Sequence, residues 1–213
     1  MPRETTENLI ARLGADARPV RRLRPPATRA ALWLLAATAG SAAVVAAIAD
    51  LPVFMERARD PRQAVELAAT LATGILAVVA AFELSLPDRS RAWAWLPIPA
   101  LALWLATTGL GCLHSWLDGT SGDWFESTEC FLILVGTSLP LGIVLSWMLM
   151  RAKPMAPGAV AAMGGLGVAG IAAFVLQFFH PFDVTILDLA FHAVAVGLVV
   201  AVSAATNRKV ADA

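Results

Sequence analysis

Six apolar stretches, each about as long as a bilayer is thick, leave this chain few ways to fold. They fall at about residues 30–51, 63–86, 92–113, 129–150, 158–179 and 185–205. A hydrocarbon core of about 30 Å is crossed by roughly 20 apolar residues in helical form, and helices satisfy their own backbone groups where no water can. Composition agrees: 58% of the 213 residues are hydrophobic and 15% charged, and the mean hydropathy of +0.70 lies outside the range of soluble domains. The expected fold is all-α, a polytopic bundle of six transmembrane helices with a short cytoplasmic N-terminal amphipathic helix. Residues 1–28 form an arm, 29–206 the membrane domain and 207–213 a cytoplasmic tail. Only the arm and the loop His114 to Thr128 exceed a simple turn, so no separate soluble domain is expected.

Orientation follows from lysine and arginine, which are retained on the cytoplasmic side of short loops. With the N terminus inside, Arg3, Arg12, Arg18, Arg21, Arg22, Arg24, Arg29, Arg89, Arg91, Arg151, Lys153, Arg208 and Lys209 all lie inside. Outside stand Arg57, Arg59 and Arg62, partly balanced by Glu56 and Asp60. Tryptophan prefers the headgroup level; Trp33, Trp93, Trp95 and Trp147 fall near inner ends and Trp116 and Trp124 near outer ends. The first apolar run exceeds the roughly 7 to 15 residues of a signal peptide, so it reads as an anchor. Both termini are therefore expected to face the cytoplasm.

The spans differ in how closely they can pack. Gly164, Gly167 and Gly170 recur at three-residue spacing in the fifth, and "AATAGSAAVVAAIA" gives the first a smooth surface; both are expected in the bundle interior. Pro97, Pro99 and Pro140 remove amide donors from the third and fourth spans, which can bend there. Glu66, Glu83 and Asp188 lie within about a turn of a span end, where they can reach water. His192 is deeper and shares a helical face with Asp188, so Asp183, Asp188 and His192 are coupling candidates. No polar ladder crosses the midplane in another span, which counts against an ion or proton transporter.

The outer surface holds the reactive residues. Cys112 closes the third span, Cys130 opens the fourth, His114 starts the loop between them, and "HPFD" supplies His180 and Asp183. Such a compartment permits disulfides, and one between cysteines this far apart is worth about 3 kcal/mol in the chain-entropy view. Three states remain open: a permanent disulfide, a reversible thiol switch, or a metal site of Cys112, His114, Cys130 and His180. Thiolate and imidazole suit zinc, cadmium or copper, although the spacing is unlike the compact pairs of structural zinc sites. The acidic residues Asp118, Asp123, Glu126 and Glu129 keep the loop wet. No Walker loop, HExxH or GxSxG is present, and "GGLGVAG" lies inside an apolar span, where helix packing explains it. No catalytic constellation emerges, so an enzyme is not expected, and no cofactor is required.

The arm begins with a short helix near Thr5 or Thr6, with Leu9, Ile10 and Leu13 on one face and Gly14 near its end. Pro19, Pro25 and Pro26 then stiffen an arginine-rich connector. Positive charge alone fixes topology and holds anionic lipid headgroups. An apolar helix face followed by arginines is also a docking arrangement for a protein groove with carboxylates, which favours a protein partner.

The arm containing "LIARLGADARPVRRLRPP", the six spans, the outer cysteines and the closing "HPFD...FH" together resemble the NrsF-type family of membrane anti-sigma factors, over essentially the whole chain. The resemblance implies that the protein holds an extracytoplasmic-function (ECF) sigma factor at the membrane. Release would follow when outer cysteines meet heavy metal or oxidant. Carried over by position, sigma binding falls to Leu9, Ile10, Leu13, Arg18, Val20, Arg21, Arg22, Leu23 and Arg24, and sensing to Cys130 and Cys112. One departure is that His180 stands where the family pattern has a cysteine, which points to a mixed Cys/His metal site. The partners implied are the sigma factor and the bilayer, with no direct nucleic-acid contact and no oligomeric state specified. The reading from another class is a small metal or solute transporter whose outer Cys/His cluster is an entry site.

The charge asymmetry makes a topology prediction. A reporter active only in the cytoplasm is expected to work when fused after Lys153, and one active only outside when fused after Gly119. The reverse pattern would invert every span.

Overall fold

Proline at the first turn marks the start of four long helices in the computed structural model, which describes residues 5–15, 22–49, 51–119 and 124–179 together with Val194, Gly197 and Ala201. In order these are α1 (Thr6–Ala15), α2 (Pro26–Ile48), α3 (Leu51–Arg57), α4 (Pro61–Leu84), a 3-10 turn (Arg91–Trp95), α5 (Ile98–Leu117), α6 (Trp124–Met150) and α7 (Pro157–Leu176). Pro26, Pro61, Pro99 and Pro157 occupy positions whose amide has no helical acceptor, so the missing N–H costs nothing there. Asp60 adds a side-chain cap, accepting from the Arg62 amide at 2.9 Å. Among the described residues there is no strand, and five helical segments are long and apolar enough to cross a membrane: Pro26–Ala47, Pro61–Leu84, Arg91–His114, Phe131–Met150 and Pro157–Leu176. The sixth expected span, 185–205, lies outside the described residues except for Val194, Gly197 and Ala201, which are helical.

The helices assemble on the pair α4 and α7, which share the largest contact. Glycine is what lets them meet backbone to backbone. A Cβ on Gly170 would fall 2.8 Å from both the Cα and the amide nitrogen of Gly74, and one on Gly167 3.0 Å from the amide nitrogen of Val78. From the other side, a Cβ on Gly74 would lie 2.9 Å from the amide nitrogen of Ile171. Close approach of this kind replaces the hydrophobic drive that is absent between helices in lipid. Around the crossing, Val78, Phe82, Val160, Val168 and Ile171 join Trp33 of α2 and Leu145 and Leu149 of α6 in one buried cluster.

Several sequence expectations change. The first and fifth spans were both expected inside the bundle; α7 is largely buried, whereas α2 buries only a narrow stripe that includes Ala30, Trp33 and Ala37 among the described residues. The reason is complementarity, because Gly167 and Gly170 face a glycine on α4 while nothing lies within 4 Å of a Cβ on Gly40. Pro97 and Pro99 do not bend α5, since they form its N-cap and first turn; of these three prolines, Pro140 is the one inside a helix. The long outer loop is shorter than expected, because α5 continues to Leu117 and α6 already begins at Trp124. Trp33, read from the sequence as a belt residue, is packed inside the bundle and 1% exposed.

A methyl group at the crossing must push two backbones apart. Gly170→Ala is expected to lower stability by about 1–3 kcal/mol, read as thermal unfolding in detergent. Gly109→Ala, with open space around its Cβ, is expected to be near neutral. Equal effects would show that α4 and α7 do not meet at Gly170.

Candidate functional site

Two buried polar clusters stand at opposite ends of the bundle, both built on α4. At one end Glu66 is 7% exposed and accepts a hydrogen bond from Thr108 Oγ1 of α5 at 2.9 Å. Thr70, one turn further along α4, donates to the carbonyls of Glu66 and Leu67 and accepts from Gln177 Nε2, just past α7, at 3.4 Å. The Arg62 guanidinium lies over α5 at Gly111, 3.2 Å from where a Cβ would stand. Phe54 of α3 stacks on Phe178 with ring centroids 4.1 Å apart, closing this end. The expectation that Glu66 reaches water near its helix end is therefore corrected, because α5 and the end of α7 cover it. The sequence signal was present: Glu66, Thr70 and Thr73 recur at helical spacing on one face of an otherwise aliphatic helix.

Cys112 belongs to the same face of α5 as Thr108, one turn on. It is buried and its thiol is free. His114 is exposed, its Nδ1 lying 3.0 Å from Asp118 Oδ2, an ion pair when the imidazole is protonated. Two residues apart on a helix, Cys112 and His114 point to different sides, so α5 does not bring them to one point. The backbone of Cys130 lies in the first turns of α6, but its side chain is outside the described residues, as are His180, Asp183, Asp188 and His192. Among the described residues, no three His, Cys, Asp or Glu side chains gather as metal ligands would.

At the other end Arg29 and Glu83 are both buried, at 5% and 7% exposed. Arg29 Nη2 donates to the Met148 carbonyl near the end of α6, and its guanidinium lies 4.9 Å from the centroid of Phe82 on α4. Trp33 Nε1, one turn along α2, donates to the Leu141 carbonyl at 3.3 Å. Glu83, expected to reach water, instead pairs with Arg89 Nε at 3.2 Å. Neither Arg29 nor Trp33 stood out in the sequence as more than a topological charge and a belt residue.

In the arm, Leu9, Ile10 and Leu13 of α1 are 44%, 64% and 63% exposed, and Arg22, Leu23 and Arg24 are exposed in the extended segment before α2. Arg18, Val20 and Arg21 lie outside the described residues.

A family model described as "NrsF: Negative regulator of sigma F" matches residues 13–211. No curated protein and no solved structure matches the chain. The matched segment takes in the connector and α2 to α7, and it begins at Leu13, near the end of α1 and after Leu9 and Ile10.

Removing the hydroxyl that serves the buried carboxylate should be costly. Thr108→Val is expected to destabilise the protein by about 1–3 kcal/mol in detergent unfolding. Thr107→Val, which removes only bonds to the Leu103 and Trp104 carbonyls of its own helix, is expected to cost less than about 1 kcal/mol. Equal losses would mean that the Glu66 bond contributes nothing of its own.

Proposed function

The chain belongs to the NrsF family of negative regulators of sigma F, and on that basis we propose that it is a membrane anti-sigma factor that sequesters an ECF sigma factor through its N-terminal arm. The observation that carries this reading is the extent of the match, which joins the arginine connector to the membrane bundle in one unit, residues 13–211. The chemistry of the arm supports it. Exposed Leu9, Ile10 and Leu13 offer an apolar helix face, and Arg18, Arg21, Arg22 and Arg24 offer forked donors to carboxylates. The Arg29 end of the bundle faces the cytoplasm on this reading, six spans cross the inner membrane, and the Glu66 end faces outward.

The signal is a heavy metal or oxidant acting on Cys112 and Cys130 at the outer end. A free thiol on the α5 face that carries the Glu66 contact is well placed to feel such chemistry. Any bond it makes shifts α5 against α4, where Thr108 meets Glu66. His180 and His114 are the further ligands a metal would recruit, with Asp183, Asp188 and His192 passing the change along the last span. Release then requires two states that differ in affinity for the trigger.

The test is a pull-down, by the detergent-purified protein, of the ECF sigma factors of the same organism, beginning with any encoded in an adjacent reading frame. Binding by the full chain and its loss on deleting residues 1–24 is the expected result, and serine at Cys112 and Cys130 is expected to abolish signal-dependent release while leaving binding intact. A coupling of the usual size changes sigma affinity about 5- to 150-fold on signalling. An intact chain that captures no sigma factor would overturn the reading and bring forward the transporter, for which uptake into sealed vesicles is the corresponding assay.

A further inference from the structure

Resting on the anti-sigma reading, we infer that Arg29 is a positioning residue: it clamps the root of the sigma-binding arm to the end of α6 and so transmits the state of the bundle to the arm. A charge that serves only to fix topology belongs in the headgroups, exposed to water. Arg29 is instead 5% exposed, and removing a guanidinium from water is costly unless its contacts compensate. Those contacts are specific. At the end of α6 the Ala152 amide turns back to Leu149 and the Lys153 amide to Met150, with Lys153 in the left-handed region at φ 47°. This ending leaves the Met148 carbonyl open for Arg29 Nη2, and a cation there also complements the negative end of the helix dipole. Phe82 supplies a ring face on the α4 side.

The clamp is joined to the arm without slack. Arg24 lies five residues before Arg29, and the intervening Pro25 and Pro26 hold an extended residue against the first helical turn. A rotation of α2 therefore moves Arg22 and Arg24 with it. The clamp is equally well connected to the outer end. Helix α6 runs from the Cys130 turn to Met148, and Pro140 interrupts its amide ladder next to Leu141, the residue whose carbonyl Trp33 holds. Arg29 and Trp33 thus grip α6 on the far side of its weakest point. Among the described residues, Arg29 Nη1 is buried with no hydrogen-bond partner.

The experiment uses the full chain in nanodiscs, comparing Arg29→Met, which keeps a long apolar stem and loses every donor, with Arg29→Lys, which keeps the charge. Two quantities are read together: sigma affinity, and amide hydrogen exchange across residues 22–33 against α4 and α7. Arg29→Met is expected to speed exchange in 26–33 and weaken sigma binding, each about tenfold, with α4 and α7 unchanged, and Arg29→Lys to recover part of both. Wild-type affinity in Arg29→Met, or exchange raised equally in α4 and α7, would overturn the clamp. If Arg29→Met does not fold, Trp33→Phe, which keeps a smaller aromatic ring and loses the N–H, is expected to show the same pattern, and wild-type behaviour in it would overturn the clamp. A wild-type chain that binds no sigma factor would sink the underlying reading instead, and the exchange pattern would still decide whether Arg29 fixes α2.

Discussion

The bundle depends on a backbone contact between α4 and α7. Between helices in lipid there is no water to expel, so association rests on close packing and polar bonds. Gly74, Gly167 and Gly170 supply the packing, at distances where even a methyl group has no room. Once α4 is fixed there, both of its ends become organising points, with Glu66 receiving α5 and Thr70 receiving Gln177 at one and Phe82 receiving Arg29 at the other. The remaining helices pack on this axis more loosely, and α2 and α6 expose most of their length among the described residues.

Buried polar groups in such a bundle act differently from those in a soluble core. A carboxylate or guanidinium left without partners in hydrocarbon is strongly unfavourable, so its contacts restrict which helix arrangements are populated. Glu66 requires α5 at Thr108, and Arg29 requires the end of α6 at Met148. Net stability from each pair is modest after desolvation. Specificity of arrangement is the larger consequence, and on the proposed reading it suits a protein that must hold one state firmly and leave it on a signal.

The helical class, five of the span positions and the glycine stripe of α7 were legible from hydrophobic runs and spacing alone. The partner of that stripe was not, because Gly74 is a single glycine in α4 and only the three-dimensional register sets it opposite Gly170. The same limit explains Glu66, Arg29 and Trp33. Judged by distance from a helix end they belong near water; the neighbours that cover them come from α5, α6 and the end of α7, far away in sequence. Pro97 and Pro99 were misread for a local reason, as α5 begins later than its apolar run does. The arm and the cysteines stand out in the sequence as unusual residues for a membrane chain, but whether Cys112 and Cys130 act as a pair is not a property of their spacing.

On the proposed reading, a signal at the outer end must cross the membrane through parts that are stiff and parts that can change. From Glu66 to Phe82 α4 is about 24 Å of continuous helix at 1.5 Å per residue, pinned at its middle by the α7 crossing. A displacement at Thr108 therefore reaches Phe82 as a tilt about that crossing rather than as a local distortion. Helix α6 offers the contrasting element, interrupted at Pro140 and held at its end by Arg29. A stiff lever on one side of Arg29 and a hinged helix on the other make its position sensitive to their relative movement. Coupling between two binding sites is reciprocal: if occupation of the outer site loosens the arm, a sigma factor on the arm must weaken the outer site by the same factor. The resting complex would then be less responsive to its signal than the empty protein, a built-in threshold that follows from the linkage itself.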